Sequence, residues 1–268
     1  MTNRIEVLYK ESVKFELHAN PASKCFFVLG VRKSGSSLLN NIVKTLATHN
    51  NLNFVDVGGT LFEGGFQVAD WQDDPALSEI LIKGNVYGGF RNSPKAFYKS
   101  EYFRKGSKIL LVRDPRDALV SEYFSNAYSH SVPESGSSRA ELLNLRQLAL
   151  EIPIEEYVLR MVRPMKQTLR EYRFIIDDPS CRVFRYEDVI FDKAGLMRDI
   201  CEFFRWEASN DLRDHILRWA DVRPSEERPT EFIRRVTPGD YKEKLSNRTI
   251  KRLTSILAAE MAMFGYAL

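Results

Sequence analysis

With 268 residues, 44% of them hydrophobic and 28% charged, the chain can bury a sizeable core and is neither a disordered tail nor a low-complexity array. Its formal net charge of +3 is too balanced for a protein that holds nucleic acid by bulk attraction, so any anion site has to be local. No apolar run approaches the roughly 18 residues of a membrane span; near the start the longest is Cys25-Phe26-Phe27-Val28-Leu29, and no membrane insertion is expected.

The amino terminus, Met1-Thr2-Asn3-Arg4-Ile5-Glu6, lacks the basic-then-apolar layout of a secretory signal. Cys25, Cys181 and Cys201 are odd in number and widely spaced, which suits neither a disulfide framework nor a zinc site. Buried thiols in a reducing cytoplasm are the expectation. No internal repeat and no linker rich in Gly, Ser and Pro divides the chain, which predicts a single domain over 1–268.

In chain order, Lys24 to Val31 reads as a buried strand and Ser36 to Thr48 as the helix after it. Leu52 to Val57, Glu79 to Ile82 and the apolar run Lys108 to Val112 read as further strands. A helix then starts cleanly, with Asp114 where an N-cap belongs and Pro115 at the first helical position. Ile154 to Tyr172 has helical periodicity, Arg182 to Tyr186 reads as one more strand, and the remainder is mostly helix, interrupted around Pro224, Pro229, Pro238 and Gly239. This alternation predicts an α/β fold of three layers, a mostly parallel central sheet flanked by helices, with ligands outside the carboxyl ends of the strands. Gly58 to Asp74 and Ser129 to Arg139 read as long loops, either solvated connections or flaps over an acceptor pocket.

The most informative stretch is Gly30-Val31-Arg32-Lys33-Ser34-Gly35-Ser36-Ser37, between a strand and a helix. A turn there aims backbone N–H groups and a helix amino terminus at one point, the makings of an anion site, with Ser36 and Ser37 adding hydroxyls. The spacing is P-loop-like, but a Walker loop ends in Gly-Lys-Ser/Thr. Here the lysine comes earlier, at Lys33, and projects from the loop itself.

A second anion clamp follows in Val112-Arg113-Asp114-Pro115-Arg116-Asp117-Ala118-Leu119-Val120-Ser121. Arg113 ends an apolar strand where a magnesium-dependent triphosphatase would need an acid. Ser121, eight residues on, falls about two turns into the next helix, so its hydroxyl can converge with the guanidinium on one phosphate. Each motif also has a plain structural reading, a glycine-containing turn and a capped, charge-patterned helix.

Together the two motifs resemble the sulfotransferases that use 3′-phosphoadenosine 5′-phosphosulfate (PAPS). Lys33-Ser34-Gly35-Ser36-Ser37 is similar to that family's 5′-phosphosulfate loop, and Arg113 to Ser121 to its 3′-phosphate motif. Phe184-Arg185-Tyr186-Glu187-Asp188 resembles its Tyr-Glu-Asp segment beside the adenine. Arg234-Arg235-Val236-Thr237-Pro238-Gly239-Asp240-Tyr241-Lys242 resembles the late loop whose basic residues close over the 3′-phosphate. Ile82-Lys83-Gly84-Asn85-Val86 occupies the place of its Lys-Thr-His segment.

Three departures stand out: Asn85 where many members carry a histidine base, Leu38 for an aromatic residue, and Val236 for a glycine. The dimerisation motif of many vertebrate members is not recognisable after Lys242.

The resemblance implies in-line transfer of a sulfuryl group from PAPS to a hydroxyl or amine of a small-molecule acceptor. No metal, nucleic acid or membrane is implied, and the enzyme would be a cytoplasmic monomer or homodimer. Arg32, Lys33, Ser34, Gly35, Ser36, Ser37, Arg113, Ser121, Tyr186, Arg234 and Arg235 would bind the donor. Lys33 would stabilise the leaving group, with Lys83 as a second cation near the sulfuryl oxygens. An amide such as Asn85 cannot take the acceptor's proton, which leaves His130, Glu63 and Asp56 as candidate bases. Phe62, Phe66, Trp71, Tyr87, Phe90 and Tyr128 are candidate pocket walls, or else core. Two other readings remain: a protein that holds PAPS or its product without transfer, and a P-loop small-molecule kinase.

Overall fold

The computed structural model describes residues 3–228, 230–231 and 233–268; Pro229, one of the expected interruptions, lies outside them, as do Met1 and Thr2. The chain opens with a hairpin, β1 (Asn3–Tyr9) and β2 (Val13–Ala19), paired antiparallel. Then come β3 (Phe26–Gly30), α1 (Ser36–His49), β4 (Asn53–Asp56), α2 (Val57–Glu63), β5 (Asn85–Gly88) and α3 (Glu101–Lys105). Next are β6 (Ser107–Val112), α4 (Pro115–Phe124), α5 (Gly136–Glu151), α6 (Ile154–Glu171), α7 (Arg173–Ile176), β7 (Cys181–Arg185) and α8 (Tyr186–Val189). The chain closes with α9 (Lys193–Phe204), α10 (Asn210–Ala220), α11 (Tyr241–Lys244) and α12 (Asn247–Met263).

Five of these strands form one parallel sheet in the order β4-β5-β3-β6-β7. Successive side chains of a strand point to opposite faces, which explains the unbroken apolar runs. Phe27 and Leu29 of β3, with Leu110 and Val112 of β6, enter the core shared with α4, α6 and α12. Phe26, Val28, Ile109 and Leu111 enter the one shared with α1, α9 and α10. The sheet is therefore covered on both faces, as the alternation of elements predicts.

Two expectations fail here. Glu79 to Ile82 is not a strand: Asp74 accepts the Ala76 N–H and Pro75 sets the first turn, so 75–80 winds into a 3₁₀ helix. The strand of that region is β5, a few residues later. Gly58 to Asp74 is not an open loop either, since it contains α2 and a 3₁₀ turn at Val68–Asp70.

Candidate active site

Because β3 runs between β5 and β6, the segments that leave these three strands emerge side by side at the sheet's carboxyl edge. The β3–α1 turn is tightened by Ser34, whose N–H and hydroxyl both donate to the Val31 carbonyl, at 3.2 and 2.7 Å. Ser34 is buried and braces the turn, so its hydroxyl is not free for a ligand as a donor-binding role would require. Lys33 and Gly35 take left-handed backbone angles, φ +64° and +88°. At Gly35 a Cβ would also stand 3.2 Å from the Tyr186 ring, so glycine serves both conformation and close approach. α1 starts at Ser36, with its first-turn N–H groups facing out of the sheet edge.

Arg113 leaves the end of β6 and reaches across to this turn. Its Nη1 donates to the Lys33 carbonyl at 3.4 Å, its Nη2 lies 3.6 Å from Asp117, and its guanidinium covers the Tyr186 ring at 4.4 Å. Its Nε is buried and has no hydrogen-bond partner among the described residues. Ser121 stands one turn beyond Asp117 on the same face of α4, partly exposed. Asp117 accepts the N–H groups of Gly239 and Tyr241 at 2.7 and 2.9 Å, which ties the late loop to α4. Burial raises its carboxyl above the usual range, although Arg113 and those two N–H groups pull the other way. Tyr186 closes the assembly by donating its hydroxyl to the Val236 carbonyl at 3.1 Å.

Lys33 pairs with no carboxylate among the described residues. Desolvation pushes its pKa down to about 8, helped by the charges of Arg91, Arg113 and Arg234 and opposed by Glu122. Arg32, expected to bind the donor, is instead engaged by the buried Glu122 at 3.2 Å. Arg234 and Arg235 lie at the site, but carboxylates hold them. Arg234 is paired with Glu227 and Asp240, and Arg235 with Asp240 at 3.1 Å and Glu243.

On the other side of β3, Arg91 leaves the end of β5. Its Nη1 donates to the Gly89 carbonyl and its Nη2 to the Ser37 hydroxyl, each at 3.0 Å. Sequence reasoning missed this residue. Gly89 and Phe90 stand between it and the end of β5, so the signal used for Arg113, a cation directly after a strand, does not mark it. Past a π-helical turn at Ser125–Ser129 comes His130, its ring stacked on Phe62 with centroids 5.6 Å apart and planes 15° apart. Burial, then the charges of Lys33, Arg91, Arg146 and Arg32, lower the His130 pKa to about 4.

Lys83 and Asn85 do not reach this site. The carboxyl edge is formed by Gly88 and the residues after it, whereas Asn85 begins β5 opposite Asn53 and Lys83 precedes it. The Asn85 amide is consumed in structure. Its Oδ1 accepts the His18 N–H and the Asn53 amide at 2.9 Å each, and its Nδ2 donates to the carbonyls of His18 and Ile82. Glu63 is exposed at the end of α2. Asp56 stands at the active edge, but its carboxylate caps α2 through the Gly59 N–H at 2.9 Å. Of the expected pocket aromatics, Trp71, Tyr87 and Phe90 are buried in the core and Phe66 packs against it; Phe62 and the exposed Tyr128 remain.

The two segments read as loops meet each other. The Gly65 carbonyl accepts the Ser138 N–H and the Ser137 hydroxyl, both at 3.1 Å, and Ser137 donates to Asp70 at 2.5 Å. A Cβ at Gly136 would sit 2.2 Å from the Gly65 carbonyl oxygen, and both glycines have positive φ. One surface cleft adjoins this junction, lined by Gln67, Ser137, Asn144 and Leu148, and another lies beyond β7 toward Phe264. Among the described residues no group of three or more His, Cys, Asp or Glu could hold a metal, and no helix is long and apolar enough to cross a membrane.

The chain as a whole is also similar to known proteins. The guinea pig (Cavia porcellus) 3-alpha-hydroxysteroid sulfotransferase is 24% identical over 258 residues, which span 87% of this chain and 82% of that protein. A mouse sulfotransferase in complex with PAP superposes with a TM-score of 0.57 at 12% identity, covering 91% of this chain and 86% of the other. A retinol dehydratase in complex with retinol and PAP gives 0.51 at 13%, covering 100% and 92%; at such identities the likeness is one of fold. The family model described as "Sulfotransferase domain" matches residues 23–265, and with the curated relative it makes this chain a member of the cytosolic-type sulfotransferase family and a sulfotransferase.

Proposed function

We propose that the enzyme moves a sulfuryl group from PAPS to a hydroxyl or amine of a small-molecule acceptor. The observation that carries this reading is the contact of Arg113 with the Lys33 carbonyl at 3.4 Å, between residues eighty positions apart. It joins the two motifs that would grip opposite ends of an adenosine bisphosphate. The donor set suits such a ligand: among the described residues Lys33 pairs with no carboxylate, and the buried Arg113 Nε has no hydrogen-bond partner.

When bound, PAPS supplies an activated sulfuryl group whose leaving group is a nucleotide phosphate. The first-turn N–H groups of α1, Ser36 and Lys33 are placed to hold the charge that grows on that leaving group. Arg113 and Ser121 would take the 3′-phosphate, with Tyr186 beside the adenine. For Arg234 and Arg235 to join them, they would have to leave Asp240, Glu227 and Glu243, and an incoming dianion is the kind of ligand that makes such an exchange favourable.

Among the candidate bases His130 is best placed, since it stands among Lys33, Arg91 and Arg146 and is neutral at physiological pH. The three free thiols accord with a reducing compartment, and we take the enzyme to be cytoplasmic, a monomer or homodimer that uses no metal.

Titration calorimetry with PAP tests the donor site, and transfer of labelled sulfate from PAPS to an acceptor library tests the reaction. Binding without transfer to any acceptor would leave a nucleotide-binding protein. Absence of binding would sink the reading altogether.

A further inference from the structure

The strand order separates two sides of the site. On the reading above, the 3′-phosphate and adenine lie over β6 and β7, where Arg113 and Tyr186 stand, and the sulfuryl group lies over the β3–α1 turn. The acceptor then approaches from the β5–β4 side, which is the side of Arg91, Phe62 and His130.

Arg91 is a partly buried cation that pairs with no carboxylate among the described residues. Its two hydrogen bonds, to the Gly89 carbonyl and Ser37, use two of a guanidinium's five N–H donors. Asp56 acts on it only from a distance, and desolvation lowers its pKa, so the folded protein bears an uncompensated charge there. Neighbouring cations are accounted for in other ways: Arg32 by Glu122, and Arg146 by the carbonyls of Asn126 and His130. A desolvated arginine with free N–H groups is the residue type that receives an oxyanion in a forked geometry.

We propose that the acceptor is an acid: a small molecule whose carboxylate or similar oxyanion is received by Arg91 while its hydroxyl or amine faces the β3–α1 turn. The Phe62–His130 stack forms an aromatic wall beside it. This inference rests on the proposed donor site, and its test separates the two.

The enzyme is first loaded with PAP. Calorimetry then compares three acids with their methyl esters: 4-hydroxybenzoate, 4-hydroxyphenylacetate and 3-hydroxybutyrate. At least one acid should bind tenfold to a hundredfold more tightly than its ester, the usual effect of one charge-assisted pair. Arg91→Gln should erase that preference and Arg91→Lys restore part of it, with PAP still bound by both variants. Equal binding of every acid and ester, or no binding of any acid, overturns the inference while PAP binding leaves the donor site standing. If Arg91→Gln instead lowers turnover equally with acidic and neutral acceptors, the inference is also overturned, and Arg91 serves the transferred group. Failure of the wild type to bind PAP removes the donor site and this inference with it.

Discussion

The guanidinium of Arg113 lies 4.4 Å from the centre of the Tyr186 ring, and that ring in turn stands against Gly35, where a Cβ would be 3.2 Å away. Three segments far apart in sequence thus share one contact, and the strand order alone brings them to it. Arg113→Met removes a buried charged donor, a change of about 1.5–3 kcal/mol, so PAP affinity should fall roughly tenfold to a hundredfold. Tyr186→Leu loses the cation–π contact, about 0.5–2 kcal/mol, and the hydroxyl bond to Val236, but keeps the charge of Arg113 and should weaken PAP less. Calorimetry on both variants measures the order, and unchanged affinity in Arg113→Met would contradict the assignment.

Lys33 is expected to act on the transition state more than on the bound nucleotide. Lys33→Ala should lower kcat by about a hundredfold to a thousandfold, the loss seen when one oriented donor to a growing anion is removed. PAP binding should fall much less. Steady-state kinetics beside calorimetry gives both numbers, and equal losses in the two would argue for simple binding.

The pH profile carries a sign. Lys33 in the free protein has its pKa lowered to about 8, so kcat/KM for the donor should be level below that pH and decline above it, about tenfold per unit. Lys33→Arg should move this decline to higher pH. His130, lowered to about 4, stays neutral through the physiological range, so no acid limb near its ordinary 6.5 should appear. Stability follows the same linkage. A folded-state pKa below the unfolded value means that the His130 contribution is complete above about 6.5 and is lost as pH falls through about 4, which thermal unfolding across pH would register.

Asn85 separates a structural role from a catalytic one. Asn85→Ala removes an amide that is 0% exposed and takes the hydrogen-bond partner from the His18 N–H and carbonyl. Each buried group left unsatisfied costs about 1–3 kcal/mol, so a drop in Tm of several degrees is expected, with kcat of the folded fraction near wild type. A large loss of kcat at unchanged Tm would return Asn85 to the active site.

What could be read in the sequence follows from the physics of each element. β3 and β6 are buried on both faces and carry unbroken apolar runs, and α4 announces its start with Asp114 and Pro115, so all three were legible. β5 has only Val86 and Tyr87 between Asn85 and Gly88, too little apolar signal to outweigh the run at Ile80-Leu81-Ile82 before it. Lys83 and Asn85 were expected at the site through the resemblance of Ile82-Lys83-Gly84-Asn85-Val86 to the Lys-Thr-His segment, and the position of β5 sets them at the opposite end of the strand. The hairpin did carry a signal that was passed over: Val13, Phe15 and Leu17 alternate with polar residues, and all three are buried. The ion pairs of Arg32, Arg234 and Arg235 depend on partners brought in by the fold, and no local pattern announces them.

The meeting of Gly65 with Gly136 fastens the end of α2 to the start of α5, two stretches more than seventy positions apart. Neither can shift without carrying the other along. A methyl group added at Gly136 would stand 2.2 Å from the Gly65 carbonyl oxygen, so an alanine there has to prise the two apart and give up the bonds that Ser137 and Ser138 make to that carbonyl.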